Sequence, residues 1–174
     1  MSTTACVGLK MDRCIRWIFV QWAGDLDWTG SVLLEYYNNY NRAKALVLLG
    51  DLSIVNPRLA PEPGEIRNAI DLSIGNKDLQ PITVAFHRDC NRSYHVGTLK
   101  CAQPLLDDET IIRKLGDEVH GSYIYLFDVK RNQWLFGTTK ELLDTEKAIH
   151  DAEPNVFYPL EFWRDIAKPL LEIV

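Results

Sequence analysis

Residues 14–22, with the sequence CIRWIFVQW, constrain the fold more than any other stretch of the chain. Alternate side chains of an extended backbone point to opposite faces, and here both faces are apolar. One face carries Ile15, Trp17 and Phe19, and the other carries Ile18, Val20 and Trp22. Branched and aromatic side chains at this density are typical of a strand that is buried on both faces. We therefore predict a sheet that has other elements packed on both of its sides.

A second strand is predicted directly before this one, at residues 4–10, with residues 10–13 as the connection of a hairpin. Alternating or continuous apolar patterns predict three more strands, at residues 82–86, 122–127 and 133–138. Helical spacing of apolar residues and capping residues predict helices that begin near Ser31, Asn41, Asp107, Thr138 and Pro159, the second ending at Gly50.

Hairpins and helices thus come in blocks, without a regular alternation of strand and helix. This order predicts an α+β fold, with a mainly antiparallel sheet of about five strands and helices packed on its faces. A chain of 174 residues suits one domain with a substantial core, so residues 1–174 are expected to form a single domain.

Residues 51–81 interrupt this pattern. The segment contains four prolines and two glycines, and it shows little regular periodicity. Proline lacks the backbone N–H that a sheet or helix needs, and loops of this length are often functional. We predict a long Pro-rich loop at 51–81 that exposes mobile backbone and contributes to a contact surface.

Composition and charge exclude several classes of protein. Apolar residues make up 47% and charged residues 25% of the chain, as in ordinary globular proteins. The absence of a long apolar run or a signal-peptide pattern predicts no membrane span and a cytoplasmic protein. The net charge is −5, with 11 Lys/Arg against 10 Asp/Glu in residues 1–106 and 8 against 14 in residues 107–174. Direct binding of nucleic acid is therefore not expected, while the acidic last third could steer a basic partner.

The stretch FHRDCNRSYH at residues 86–95 has several possible interpretations. Its His-Arg-Asp resembles the start of a kinase catalytic loop, but Tyr94 stands where that loop needs Asn, so we reject a kinase. His87, Cys90, His95 and Cys101 are zinc-ligand types, although they lack two close pairs. Cys6, Cys14, Cys90 and Cys101 show no paired spacing either, and free thiols are expected.

A catalytic or metal site built from carboxylates is the next alternative. Asp25, Asp27, Asp51 and Asp89 could meet His87, but no spacing requires it, and no hydrolase or phosphate-binding motif is present. Motifless carboxylates mostly carry surface charge, so the favoured interpretation is an ion-pair cluster in which Arg88 and Asp89 pair with their neighbours. Accordingly, we predict no catalytic residue, no metal ligand and no cofactor.

Binding residues can still be nominated. Trp28 lies in the loop 23–30, which is rich in Gly and Asp, and it fits no helical or strand period, so we expect it to be an exposed contact residue. The predicted binding residues are Trp28, Asp25, Asp27, Arg58, His87, Arg88, Asp89, Asp144 and Glu146.

The order of several short blocks is similar to that of a family of small proteins encoded by bacteriophages, prophages and mobile elements. The blocks are Trp22-x-Gly24, Leu33-Leu34-Glu35-x-Tyr37, Leu49-Gly50-Asp51-Leu52-Ser53, Val84-Ala85-Phe86-His87-Arg88-Asp89 and Tyr125-Leu126-Phe127-Asp128. The chain departs from the family's usual residues at Ala23 and at Cys90-Asn91, which argues against chemistry by those side chains. Small phage proteins without catalytic motifs often act by binding, and inhibitors of host defence, including anti-CRISPR proteins, are prominent among them.

The leading hypothesis is therefore a non-enzymatic binding protein of phage origin that blocks a component of a host defence system in the host cytoplasm. A binder or hydrolase of a small nucleotide signal, with a pocket near His87, Arg88 and Asp89, is the alternative. A zinc-stabilised interaction module is the third possibility.

Overall fold

The computed structural model describes residues 3–63, 80–101, 106–146, 149 and 151–164. The strands are β1 (Ala5–Lys10), β2 (Cys14–Val20), β3 (Leu52–Ile54), β4 (Val84–Ala85), β5 (Gly97–Lys100), β6 (Tyr123–Asp128), β7 (Gln133–Thr138) and β8 (Tyr158–Pro159). The helices are α1 (Ser31–Tyr36), α2 (Tyr40–Val47), α3 (Phe86–Cys90), α4 (Asp108–Val119) and α5 (Lys140–Thr145), with a π-helical turn at Leu26–Gly30 and a 3₁₀ turn at Leu160–Trp163.

All of these strands join one sheet, in the order β4-β3-β2-β1-β6-β7-β8, with β5 also paired to β2. The predicted hairpins β1–β2 and β6–β7 are both antiparallel. The central pair β1–β6, in contrast, is parallel, and so is the short contact between β2 and β3. The α+β class is confirmed, and five of the seven strand pairings among the described residues are antiparallel. The predicted number of about five strands was too low, because the described part of the sheet has eight, and the two parallel pairings were not predicted.

The sheet has a core on each face, as the pattern of residues 14–22 predicted. Ile18 and Val20 belong to the larger core, beneath α1 and α2. Ile15 and Trp17 belong to the second core, beneath α4. The strand that carries them is central, since β2 pairs with β1 on one edge and with both β5 and β3 on the other. Burial on both faces follows from that position.

The outer edge of β2 changes partner along its length. Its first half, Cys14–Trp17, pairs with β5, and its end pairs with β3 through Val20 and Leu52. Between these two stretches no described strand pairs with β2 on this edge. The N–H of Phe19 donates instead to the carboxylate of Asp51. Segments before and after α3 are thereby brought to a single edge of the sheet.

Three predicted elements differ in the structure. The segment 51–81 does not begin as a loop: Leu52–Ile54 is a strand, and Val55 and Asn56 are buried, while residues 64–79 lie outside the described residues. The predicted strand 82–86 shrinks to Val84–Ala85 and continues as α3. Of the last predicted helix, the 3₁₀ turn that follows Pro159 is described, and residues 165–174 lie outside that part of the chain. No helix in the described ranges is long and apolar enough to cross a membrane.

Candidate functional site

Arg88 and Asp89 lie side by side in α3 and bind each other. Arg88 Nε donates to Asp89 Oδ1, and Nη2 donates to Oδ2, both at 2.9 Å. The Asp89 side chain is only 6% exposed, and its Oδ2 also accepts the N–H of Ala85 at 2.8 Å. The carboxylate is thus occupied by internal donors. It is poorly placed to act as a general base on a ligand.

The remaining donors of Arg88 fasten two other segments to α3. Nη1 donates to the carbonyl oxygen of Leu59 at 2.8 Å, and Nη2 donates to that of Thr83 at 2.7 Å. Nearby, the backbone of Arg58 accepts from Thr83 and donates to Pro81. The ion pair that the sequence predicted is therefore present. Through Arg88 it binds the chain at residues 59 and 83 to α3, and it does not line a pocket.

The residues of zinc-ligand type lie in different environments. His87 Nδ1 lies 2.8 Å from the carbonyl oxygen of Arg92, and Cys90 packs in a small cluster with Val84. Cys101 is buried in the core beneath α4. Within the described ranges, no three His, Cys, Asp or Glu side chains are grouped closely enough to hold a metal ion. The alternative grouping of Asp25, Asp27, Asp51 and Asp89 with His87 does not form there either.

Asp51 instead connects three parts of the fold. Its Oδ1 accepts the N–H of Phe19 at 2.9 Å, and its Oδ2 lies 2.9 Å from His95 Nδ1. Its backbone oxygen accepts the N–H of Phe86 at the start of α3. The next residue in the chain begins β3, so this one aspartate holds β2, α3 and the segment before β5 in register.

A cleft brings together three of the predicted acidic residues, Asp25, Asp27 and Glu146, beside Tyr123. Burial raises the pKa of Asp25, and the charges of Asp27 and Glu146 raise it further, although the N–H of Trp28 opposes them. Burial likewise raises the pKa of the Tyr123 phenol well above its usual range, and the charge of Glu146 adds to this. The fourth predicted acidic residue, Asp144, is exposed at the end of α5, two residues before Glu146.

Trp28 is not the exposed contact residue that the sequence predicted. Its side chain is partly buried and packs against the main core. The indole Nε1 donates to the carbonyl oxygen of Val55 at 2.7 Å. A π-helical turn, capped by the carboxylate of Asp25, holds the residue in this position. The loop 23–30 therefore contributes to packing through its tryptophan, and Trp22, at 46% exposure, is the exposed indole nearby in the chain.

An exposed aromatic surface that was not predicted lies at α2, α3 and the residues that follow each of these helices. Tyr40 and Leu48 are 36% and 43% exposed, and Tyr94 is 49% exposed. The Tyr94 hydroxyl donates to the carbonyl oxygen of Leu48 at 2.7 Å, and its ring packs edge-on against His87 with the centroids 5.5 Å apart. Lys44 extends over the ring of Tyr40, its Nζ 5.7 Å from the centroid. We call these five residues the α2–α3 face.

The backbone around this surface is tightly fitted. Gly50 ends the α2 region with a φ of +83°, a conformation that favours glycine. A Cβ at this position would lie 3.1 Å from the ring of Tyr94 and from the carbonyl oxygen of His95. The N–H of Asp51 donates to that same carbonyl oxygen. Tyr94 is therefore held against the end of α2 by backbone as well as side-chain contacts.

One signal in the sequence could have indicated this surface. Residues 40, 44 and 48 are four apart, so they form a single row on a helix. The predicted start near Asn41 leaves Tyr40 outside this helix, because it places the break between α1 and α2 two residues too late. Asn39, whose side chain caps α2, marks that break. Tyr94 entered the sequence argument only as the residue that excluded a kinase.

An open groove of about 680 Å³ lies elsewhere, between α4, the start of β6 and the start of α5. Its lining is polar and of mixed charge, with Arg113 and Lys140 opposed by Glu109, Asp117 and Glu141. None of the predicted binding residues lines it. Small-ligand sites are usually enclosed and largely apolar, so this groove does not resemble one.

No protein-family model, curated protein or solved structure matches the sequence. The resemblance to phage-encoded proteins therefore stays a prediction.

Proposed function

We propose that this protein is a non-enzymatic binding protein and that the α2–α3 face is its contact surface. The observation that carries the proposal is the group of exposed Tyr40, Leu48 and Tyr94 side chains on a fixed backbone frame. Clustered exposed apolar side chains mark interaction sites, and tyrosine is enriched among the residues that dominate binding energy. Because Tyr94 is already held against α2, little conformational entropy is lost when a partner binds it.

The surroundings of the former catalytic candidates favour binding over catalysis. Arg88 and Asp89 satisfy each other and nearby backbone groups, which leaves the carboxylate no clear role toward a ligand. A nucleotide pocket at these residues would require both side chains to turn away from contacts of 2.7–2.9 Å. These contacts disfavour a hydrolase site at Arg88 and Asp89.

We further propose that the partner is a component of a bacterial defence system, which the protein inhibits by occupying a surface that the component needs. This part of the proposal comes from the resemblance to small phage-encoded proteins and not from the geometry. The partner is accordingly expected in the lysate of a bacterial host.

Quantitative affinity capture from such a lysate tests the proposal. The tagged protein is compared with the double variant Leu48→Ser/Tyr94→Ser and with Phe162→Ser, which removes an aromatic ring that is 71% exposed at a different site. We expect a partner that is retained by the parent protein and by Phe162→Ser and is lost with the double variant. A partner retained equally by all three proteins would show that the α2–α3 face is not the contact surface. Melting temperatures of the variants separate lost binding from lost folding.

A further inference from the structure

The α2–α3 face lies in a positively charged part of an acidic protein. Residues 40–48 and 86–96 contain four Arg/Lys side chains, namely Arg42, Lys44, Arg88 and Arg92, and one carboxylate, Asp89, which gives a net charge of +3. The whole chain has a net charge of −5, so the rest of it carries −8. Adding the neighbouring Asp51 lowers the local charge only to +2.

The two carboxylates near this face are turned inward. Asp89 is 6% exposed and is bound by Arg88, and Asp51 is 24% exposed and faces His95. Arg88 is exposed but bound to Asp89, and two further exposed cations form no ion pair with a described carboxylate. Lys44 is exposed beside Tyr40, and the guanidinium of Arg92, also exposed, lies 4.7 Å from the centroid of the Phe86 ring. The charge presented to a partner is therefore positive.

We infer that the α2–α3 face binds an acidic protein surface, an inference that rests on the proposed function and adds the chemistry of the partner. Leu48, Tyr94 and Tyr40 form an apolar centre, and Lys44 and Arg92 form a cationic rim. Protein interfaces commonly combine an apolar centre with a polar rim, and complementary charges raise the association rate and exclude wrong partners. The partner that fits has carboxylates around an apolar anchor.

A nucleic acid fits this surface less well. Binding a phosphate backbone requires several cations in a continuous track, and it is opposed by a protein whose remaining surface is acidic. Here Arg42 and Arg88 are already committed to internal contacts, with the carbonyl oxygens of Tyr36 and Thr83 among their partners. The two cations without such contacts are enough to steer an acidic protein but supply few phosphate contacts.

Photo-crosslinking with a charge-matched control tests the inference. The substitution Tyr40→p-benzoylphenylalanine puts the probe in the apolar centre of the face and leaves the contact between Tyr94 and Leu48 intact. Crosslinking in a bacterial lysate is repeated with Lys44→Glu/Arg92→Glu and with Lys130→Glu/Arg131→Glu. The second pair makes the same change of net charge in the exposed turn between β6 and β7. Mass spectrometry identifies the crosslinked peptide.

We expect a crosslinked protein peptide with a net negative charge, and a crosslink yield that falls about tenfold with Lys44→Glu/Arg92→Glu but less than about twofold with the control pair. A neutral or basic crosslinked peptide would overturn the inference and leave the proposed function standing. Crosslinks to nucleic acid would also overturn it. If no crosslink forms from position 40, both the inference and the proposal that this face is the contact surface are contradicted.

Discussion

The carboxylate of Asp51 and the imidazole of His95 lie 2.9 Å apart, at the point where β2 changes its partner from β5 to β3. The other oxygen of Asp51 accepts the N–H of Phe19, at a position where this edge of β2 has no strand partner among the described residues. One side chain thus replaces a missing strand partner and fixes the segment that carries Tyr94. The position of the proposed contact surface depends on this arrangement.

Replacing Asp51 by Ala is expected to destabilise the fold by about 1–3 kcal/mol, because the N–H of Phe19 loses its partner in a partly buried place. Replacing His95 by Ala should cost less, about 1 kcal/mol, since the pair is half exposed and the edge-on contact with Trp17 is the other loss. Urea denaturation of both variants measures the difference. A larger loss with His95→Ala would mean that the histidine, and not the aspartate, organises this edge.

Removal of the Asp89 side chain should act on stability and not on activity directly. Asp89→Ala leaves Arg88 and the N–H of Ala85 without their carboxylate partner, and we expect a loss of about 2–4 kcal/mol. Asp89→Asn keeps an oxygen for Ala85 and should lose less. Binding to a partner, measured well below the melting temperature of each variant, should be nearly unchanged. Abolished function in an Asp89 variant of normal stability would point to a direct role for the carboxylate.

The parts of the fold that the sequence could predict are those specified by local patterns. The hairpin of β1 and β2, the hairpin of β6 and β7, and the helix capped by Asp107 each follow from the spacing of neighbouring residues. The parallel pairing of β1 with β6 joins Ala5 to Tyr123, and no local feature encodes such a register. The mixed sheet was missed for that reason.

In the candidate site, too, contacts between neighbouring residues were predictable and tertiary contacts were not. The ion pair of Arg88 and Asp89 was expected, since carboxylates outside a known motif mostly carry surface charge. Trp28 was misjudged because its hydrogen bond to Val55 depends on the path of a chain 27 residues away. The exposure of Tyr94 depends on Gly50 in the same way, because the close approach of those two residues is a tertiary contact.

The acidic cleft predicts a pH dependence of stability. The raised pKa of Asp25 means that folding favours its protonated form, so the ionised carboxylate destabilises the native state at neutral pH. Asp25→Asn keeps the cap on Trp28 and should raise the melting temperature at neutral pH. The difference in melting temperature should disappear as the pH falls through the raised pKa of Asp25 toward the ordinary pKa of an aspartate, because Asp25 is then protonated in the parent protein. Asp27→Asn, at an exposed position, is the matched control and should change less.

The four cysteines, all free thiols, should differ in reactivity. Cys6 is fully buried, and burial raises its pKa far above the usual thiol value, so little reactive thiolate forms. At mildly alkaline pH, a thiol reagent should label Cys14 and Cys90 in the native protein and leave Cys6 unlabelled until the chain unfolds. Peptide mapping after timed labelling checks this order. Early labelling of Cys6 would contradict the central position of β1 in the sheet.

The stoichiometry of inhibition tests the central claim most directly. The activity of the captured defence component is titrated with the protein, and the point at which inhibition is complete is compared with the molar ratio. A binding protein acts by occupying its target, so inhibition should be complete at an equimolar ratio and should reverse on dilution at the dissociation rate. Leu48→Ser/Tyr94→Ser should lose inhibition, and Asp89→Asn should retain most of it. Complete inactivation by a small fraction of an equivalent, abolished by Asp89→Asn at unchanged melting temperature and partner affinity, would contradict the account, because it would require turnover at α3.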